Sequence, residues 1–403
     1  MTGQWLSIVG IGEDGLYGLS PAARAAITGA EIVFGGARHL ELAAAAINGE
    51  QFVWKTPFAN SIDAVLAARG RKVCVLASGD PFLYGVGATL SRQVDPAQMH
   101  VIPHPSAFSL AAARLGWPLQ DVVSLSLHGR PIDLIRPHLH AGARILALTS
   151  DEKGPGALAA LLVEAGFGRS IITVMEALGG QREVIRSQMA DGFTFNDIDP
   201  LNLCAITVVP LPGARILPRA PGLDDALYEH DGQITKRDIR AVTLAALSPR
   251  PHELLWDIGA GSGSIAIEWM LADPSMRAVA IEAEPERAAR IARNARHLGV
   301  PDLQLVEGPA PFALAGLDAP HAIFVGGGGT SNGVIDAALA ALRPGGRLVA
   351  NAVSLEMEQV LLALFAQHGG ELVRLSVAQA APLGEMTGWR PAMPITQWRW
   401  TKP

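Results

Sequence analysis

Residues 253–268, ELLWDIGAGSGSIAIE, run from an apolar stretch through a glycine-rich turn into a helical pattern. Leu254, Leu255, Trp256 and Ile258 predict a strand buried on both faces of a sheet. Gly259, Gly261 and Gly263 predict a tight turn in which a ligand can touch backbone directly. Ile265, Ala266, Ile267 and Trp269 then open a helix, whose free N–H groups and positive dipole end face the same crevice. Such an arrangement suits a nucleotide-like cofactor.

The loop reads G-x-G-x-G. It lacks the third glycine spacing of dinucleotide sites, and no Gly-Lys-Ser/Thr of a P-loop follows. The run RAVAIE, 277–282, predicts a second parallel strand ending in Glu282, where an acid can accept both hydroxyls of a ribose. VEGPAP (306–311) and AIFVGGGG (322–329) read as the ends of a third and a fourth strand opening on one crevice. With Asp257 and Glu282, this order of strands resembles the class I S-adenosylmethionine-dependent methyltransferases. The resemblance implies backbone contact to cofactor at Gly259, Gly261 and Gly263, ribose contact at Glu282, and Ala310 near the adenine.

At 403 residues the chain exceeds what one hydrophobic core usually serves, so two or more domains are expected. An apolar content of 49% with 43 Gly and 28 Pro fits α/β domains rich in turns. The sequence contains no apolar run long enough to span a membrane, and MTGQWLSIVGIG reads as a first strand rather than a signal segment, which predicts a cytoplasmic protein. Cys74 and Cys204 lie inside apolar runs and read as small core residues, so neither a disulfide framework nor a metal site is expected. A net charge of −6 and the lack of any basic block argue against a nucleic-acid footprint. Most basic residues are arginine, whose planar fork suits carboxylate recognition, although codon bias explains the same excess.

The first half has a βα rhythm. LSIVGIG (6–12) is a strand entering a glycine turn, and Ser20-Pro21 is a helix cap followed by proline at the first helical position. EIVFGG (31–36) and KVCVLA (72–77) continue the pattern, the latter ending at SGDPFLYGVG, where Gly79 and Asp80 close a strand that Pro81 cannot extend. In VIPHPSAFSLAAARLGWP (101–118) a strand ends at His104-Pro105, a helix opens at Ser106 and Gly116 ends it. SLSLHGR (124–130) leads to a further turn. These segments together resemble the tetrapyrrole methylases, the class III methyltransferases, over residues 1–210. That family is built from two α/β halves with cofactor in the cleft between them. The resemblance implies cofactor contact at Gly10, Gly79, Asp80, Ser106 and Thr149, and substrate contact at His128.

Residues 211–225, LPGARILPRAPGLDD, read as an interdomain linker, and 226–403 as the second domain. DGQITKRDIRAVTLAAL (231–247) opens with Thr235 and Asp238 spaced as a capping box, which would set Lys236 and Arg237 at a helix start above the crevice. LRPGGRLVANAVSLE (342–356) is a helix end, a turn and a strand with polar Asn351 at its end, and 389–400 supplies a final strand.

Taken together, the fold class is α/β, a two-lobed class III tetrapyrrole methylase fold followed by a Rossmann-like class I fold. That order of domains resembles the decarboxylating precorrin-6B C5,15-methyltransferases of cobalamin biosynthesis, over nearly the entire chain. The resemblance implies a tetrapyrrole substrate, one S-adenosylmethionine per domain, methylation of carbon 5 by the first domain, and methylation of carbon 15 with loss of the ring C acetate carboxyl by the second. Asn351, Glu356, Lys236, Arg237 and Arg390 are the candidates for catalysis or for holding substrate carboxylates. An alternative keeps one active class I domain beside a non-catalytic tetrapyrrole-binding module. Neither membrane nor nucleic acid is an expected partner, and a homo-oligomer stays open.

Overall fold

The structure, a computed structural model, describes residues 3–403. The chain divides into two compact units. One comprises the residues up to Ile132 with His140–Arg215, the other Asp133–Leu139 with Ile216–Pro403.

In the first unit, β1 (Leu6–Ile11), β2 (Ile32–Gly35), β3 (Glu50–Val53), β4 (Val73–Ser78) and β5 (Met99–Ile102) form a sheet in the order β3-β2-β4-β1-β5. Every pairing is parallel. Both faces are covered, and for that reason LSIVGI and VCVLAS are apolar nearly throughout rather than alternating. Leu6, Ile8, Val73 and Val75 face one core, and Val9, Ile11, Cys74 and Leu76 face another.

A second sheet of the same unit joins β6 (Val123–Ser126), β7 (Arg144–Leu148), β8 (Ile171–Glu176), β9 (Val184–Met189) and β10 (Asn202–Thr207) in the order β6-β7-β10-β8-β9. Only β6 and β7 run parallel. The helix Ala107–Leu115 is capped by the Ser106 hydroxyl and ended by left-handed Gly116. Its Phe108, Ala111 and Ala112 pack on Leu146, Met175 and Leu203.

The second unit is built on β11 (Leu254–Ile258), β12 (Arg277–Glu282), β13 (Gln304–Glu307), β14 (Ala322–Val325), β15 (Arg347–Ala352), β16 (Glu371–Leu375) and β19 (Ile395–Thr401), in the order β13-β12-β11-β14-β15-β19-β16. The pairings from β13 through β15 are parallel, and β19 runs antiparallel between β15 and β16. The order reverses beside β11, which puts a crevice outside its carboxyl end. Leu254, Trp256 and Ile258 point into one core and Leu255 into the other, with Trp269 and Phe324. β17 (Ala378–Leu383) and β18 (Met386–Pro391) form a separate hairpin.

Three sequence expectations are corrected. The helix Arg237–Leu247 has Lys236 at its N-cap with no side-chain cap; Thr235 lies one residue too early, which puts Thr235 and Asp238 out of register for a capping box. Trp389 belongs to β18, and the final strand starts only at Ile395. The stretch read as a linker is no free tether past Ile216: Leu217, Leu223 and Tyr228 are buried against Ile267, Ala295 and Leu298. Among the described residues, no helix is long and apolar enough to cross a membrane.

Candidate functional site: two strand-end crevices

At the carboxyl end of β11 the three loop glycines all have positive φ, +71° at Gly259, +62° at Gly261 and +77° at Gly263. The loop also leaves no room for side chains. A Cβ on Gly259 would stand 2.6 Å from the Gly327 carbonyl oxygen, and one on Gly263 2.8 Å from Ile291. The strand ends are stitched together: the N–H groups of Gly259 and Ala260 donate to Ile281 O at 3.0 and 3.1 Å, and Gly326 N–H donates to Ile258 O at 3.0 Å. Three predicted strand ends therefore converge on one place.

Glu282, nearly buried at the end of β12, accepts from Gly261 N–H at 2.7 Å and from Glu284 N–H at 3.1 Å. Each carboxylate oxygen keeps a second lone pair for a ligand hydroxyl. Asp257 is 1% exposed and accepts from Ala266 N–H at 3.1 Å through Oδ2, while Oδ1 is buried with no partner. Burial pushes its carboxyl up to about 7; the Ala266 N–H works against the shift and the Glu282 charge adds to it. The Ser262 hydroxyl is a second buried oxygen without a partner. A glycine loop closed to side chains, a helix start capped by no side chain, an acid with spare acceptor capacity and two unsatisfied buried oxygens fit an adenosyl cofactor. Ala310 lies just past β13, where it packs partly buried against the core that contains Ile258.

The candidates for catalysis in this unit do not form one constellation. Asn351 is 9% exposed on β15 and donates to Thr243 Oγ1 at 3.1 Å while accepting from Gln397 Nε2 at 2.9 Å. Its amide is thus turned into a buried polar cluster. Glu356 is exposed in the first turn of the helix Leu355–His368, where its own backbone N–H and the Ser354 hydroxyl hold its carboxyl below the usual range. Lys236 is exposed and lies 4.0 Å from Asp225, and Arg237 is exposed beside it. Arg390 is exposed on the hairpin opposite Gln379. Since β19 starts opposite the carboxyl end of β15, with Thr396 against Ala352, the hairpin leading into it issues from the glycine-loop edge of the sheet.

In the first unit, the ends of β1, β4 and β5 meet closely. A Cβ at Gly10 would overlap the Gly79 carbonyl oxygen, and one at Gly79, where φ is +55°, would stand 2.9 Å from Ser106 Cα. Asp80 Oδ1 accepts from Phe82 N–H at 2.8 Å, and Ser106 Oγ accepts from Ser109 N–H at 3.1 Å. The structure thus brings Gly10, Gly79, Asp80 and Ser106 together. Thr149 lies just past β7 of the other sheet, its hydroxyl given to Asn202. His128 Nδ1 lies 3.3 Å from the Thr149 carbonyl oxygen.

Sequence reasoning missed a polar group at the first site. Arg38 pairs with nearly buried Glu13, which also receives Arg182 at 3.4 Å, and the Arg38 guanidinium lies 3.0 Å from His39 Nε2. Burial, then the Arg38 charge, lowers the His39 imidazole to about 4. The only signal was the motif GGARHL itself. In the second unit it missed Glu268 and Asn294, which lie on faces of their helices turned toward the core.

Two family models match. Residues 6–191 match the Tetrapyrrole (Corrin/Porphyrin) Methylases, and residues 226–402 match the Precorrin methyltransferase domain. A precorrin-6Y C(5,15)-methyltransferase [decarboxylating] of Sinorhizobium sp is 60% identical over 398 residues, covering 99% of this chain and 96% of the relative. Two shorter relatives from Salmonella typhimurium are each 33% identical. A cobalt-precorrin-7 C(5)-methyltransferase aligns with 45% of this chain and 88% of its own length. A cobalt-precorrin-6B C(15)-methyltransferase (decarboxylating) aligns with 40% of this chain and 85% of its own length. The matched models, the order of the two units and the identity along nearly the whole length place the chain in the family of decarboxylating precorrin-6Y C(5,15)-methyltransferases.

Proposed function

We propose that this chain converts precorrin-6B to precorrin-8, the first unit methylating carbon 5 and the second methylating carbon 15 and releasing the ring C acetate carboxyl, with one S-adenosylmethionine bound in each unit. The observation that carries the reading is that in each unit strand ends converge on glycines where an added Cβ would strike neighbouring backbone. Support for the division of labour comes from the two Salmonella relatives, each named for one methylation and each aligning with less than half of this chain.

The chemistry asks little of acids and bases. A sulfonium methyl is already activated, and a conjugated ring carbon is the nucleophile. Each transfer forms one carbon–carbon bond, breaks one carbon–sulfur bond and, at a carbon bearing hydrogen, releases a proton. Loss of carbon dioxide leaves an electron pair that the conjugated imines accept, and a proton then completes the methyl. What the protein supplies is alignment and exclusion of water. In the second unit Gly259, Gly261 and Gly263 would cradle the cofactor through backbone, Glu282 would take the ribose and Ala310 would flank the adenine. In the first unit Gly10, Gly79, Asp80 and Ser106 would line the cofactor crevice, and Thr149 and His128 would contribute from the loops that follow β7 and β6. Exposed Lys236, Arg237 and Arg390 would pair with substrate carboxylates, and Asn351 and Glu356 stand at the strand-end edge.

Incubation of the full chain with precorrin-6B and S-adenosylmethionine should give a product that has gained two methyl groups and lost one carbon dioxide. Gly261→Val should abolish carbon dioxide release. Undiminished carbon dioxide release from that variant would overturn the assignment of the second reaction to the second unit.

A further inference from the structure

The residues just before the helix Arg237–Leu247 are tied down to an extent that a connecting segment does not need. Glu268, 6% exposed on the helix Ser264–Ala272, accepts from Gly222 N–H at 2.6 Å, Leu223 N–H at 3.0 Å, the Tyr228 hydroxyl at 2.9 Å and Arg240 Nε at 2.5 Å. Arg240, fully buried, also donates to Asp225 at 3.0 Å, to the Leu223 carbonyl at 2.5 Å and to the Thr235 carbonyl. One buried ion pair thus holds both ends of segment 222–235.

The middle of that segment is fixed to the glycine loop. Asn294, 1% exposed on the helix Pro285–His297, accepts from Glu229 N–H at 2.8 Å and donates to Glu229 O at 3.0 Å and to Ser262 O at 2.9 Å. Ser262 sits between Gly261 and Gly263, so one amide side chain bridges the loop and the segment. Farther along, Asp231 receives Gln233 N–H at 3.0 Å and Arg287 Nε at 3.0 Å and pairs with Arg290 at 3.1 Å. These contacts hold its carboxyl well below the usual range. The Gln233 carbonyl oxygen lies 3.0 Å from where a Cβ on Gly261 would stand. The segment therefore lies directly against the apex of the loop. If the helix had only to bury a side chain at position 294, an apolar residue would serve, without three backbone hydrogen bonds to satisfy.

We propose that residues 229–235 are a strap forming the outer wall of the second unit's cofactor crevice, and that Asn294 is the positioning residue that holds strap and glycine loop in register. The inference rests on the adenosyl-cofactor reading of that crevice. Binding of S-adenosylhomocysteine at the second unit should then depend on residues that do not line the loop.

Titration of full-length protein with S-adenosylhomocysteine, with Gly79→Val removing the first site, isolates the second. On that background Asn294→Asp turns a carboxylate toward two carbonyl oxygens, and Asp231→Ala releases the strap from Arg287 and Arg290. Each should weaken binding about tenfold or more, the change equivalent to one lost interaction of roughly 1.4 kcal/mol. Ligand should slow amide exchange in 229–236, a protection that both variants lose. A purely structural role would lower the unliganded melting temperature and leave affinity well below melting unchanged. Should Asn294→Asp not fold, Asp231→Ala decides. Affinities within twofold of the background overturn the strap, whereas no binding at the second site before either substitution overturns the cofactor reading itself.

Discussion

Asp257 is where sequence and environment diverge most. The aspartate lies near the end of buried β11, and its place before the glycine loop is legible as a site residue. What the sequence does not disclose is that one carboxylate oxygen is left unsatisfied and that burial lifts the carboxyl to about 7. An ordinary aspartate titrates near 4, so between about pH 4 and 7 the folded chain holds a proton that the unfolded chain has released. Its stabilising contribution is complete below about 4 and is lost as pH rises through about 7. Asp257→Asn, which cannot ionise, should match the parent at pH 4 and become the more stable protein by pH 8, by up to a few kcal/mol, as thermal melts across that range would record. A constant difference between the two proteins would contradict the burial argument. Asn351 teaches the converse. Its position at a strand end suggested ligand contact, yet Thr243 and Gln397 already take its amide, because helix and antiparallel strand meet behind it.

At the scale of elements, the strand, turn and helix around 253–268 were legible because each has its own local signature: apolar continuity, glycine at positive φ and an apolar helical face. The antiparallel β19 and the hairpin were not. Residues 384–393 carry exposed Met386, Trp389 and Met393, and no burial period separates a free hairpin from the strand that follows. The stretch read as a linker misled for a related reason. Its prolines and glycines are real turn signals, but Leu217 and Leu223 are core residues spaced too far apart to give a period. Within the same part of the fold, Glu268→Gln would leave Arg240 buried with only Asp225 as an ionised partner. Loss of a buried pair costs about 3–5 kcal/mol, and the surviving partner should hold this case to the lower end. Urea unfolding of the full chain should show the transition of the second unit shifted to lower denaturant and that of the first unmoved. Equal shifts in both would show that the effect is not local to this ion pair.

For the molecule as a whole, the succession of two α/β units was legible from the change of motif between the halves, since each half carries its own glycine turns. Segment 133–139 grouping with the second unit was not, because no local pattern in the sequence marks a long-range association. The proposed function requires both units to bind and use a methyl donor. Its most direct test is a calorimetric titration of S-adenosylhomocysteine into the intact chain and into Gly79→Val and Gly261→Val. Gly79 has φ of +55° and Gly261 of +62°, conformations in which a β-branched residue is strained. Two sites in the parent and one in each variant is the predicted result. A single site in the parent, kept by Gly79→Val and lost by Gly261→Val, would contradict it and leave the first unit as a binding module beside one methyltransferase.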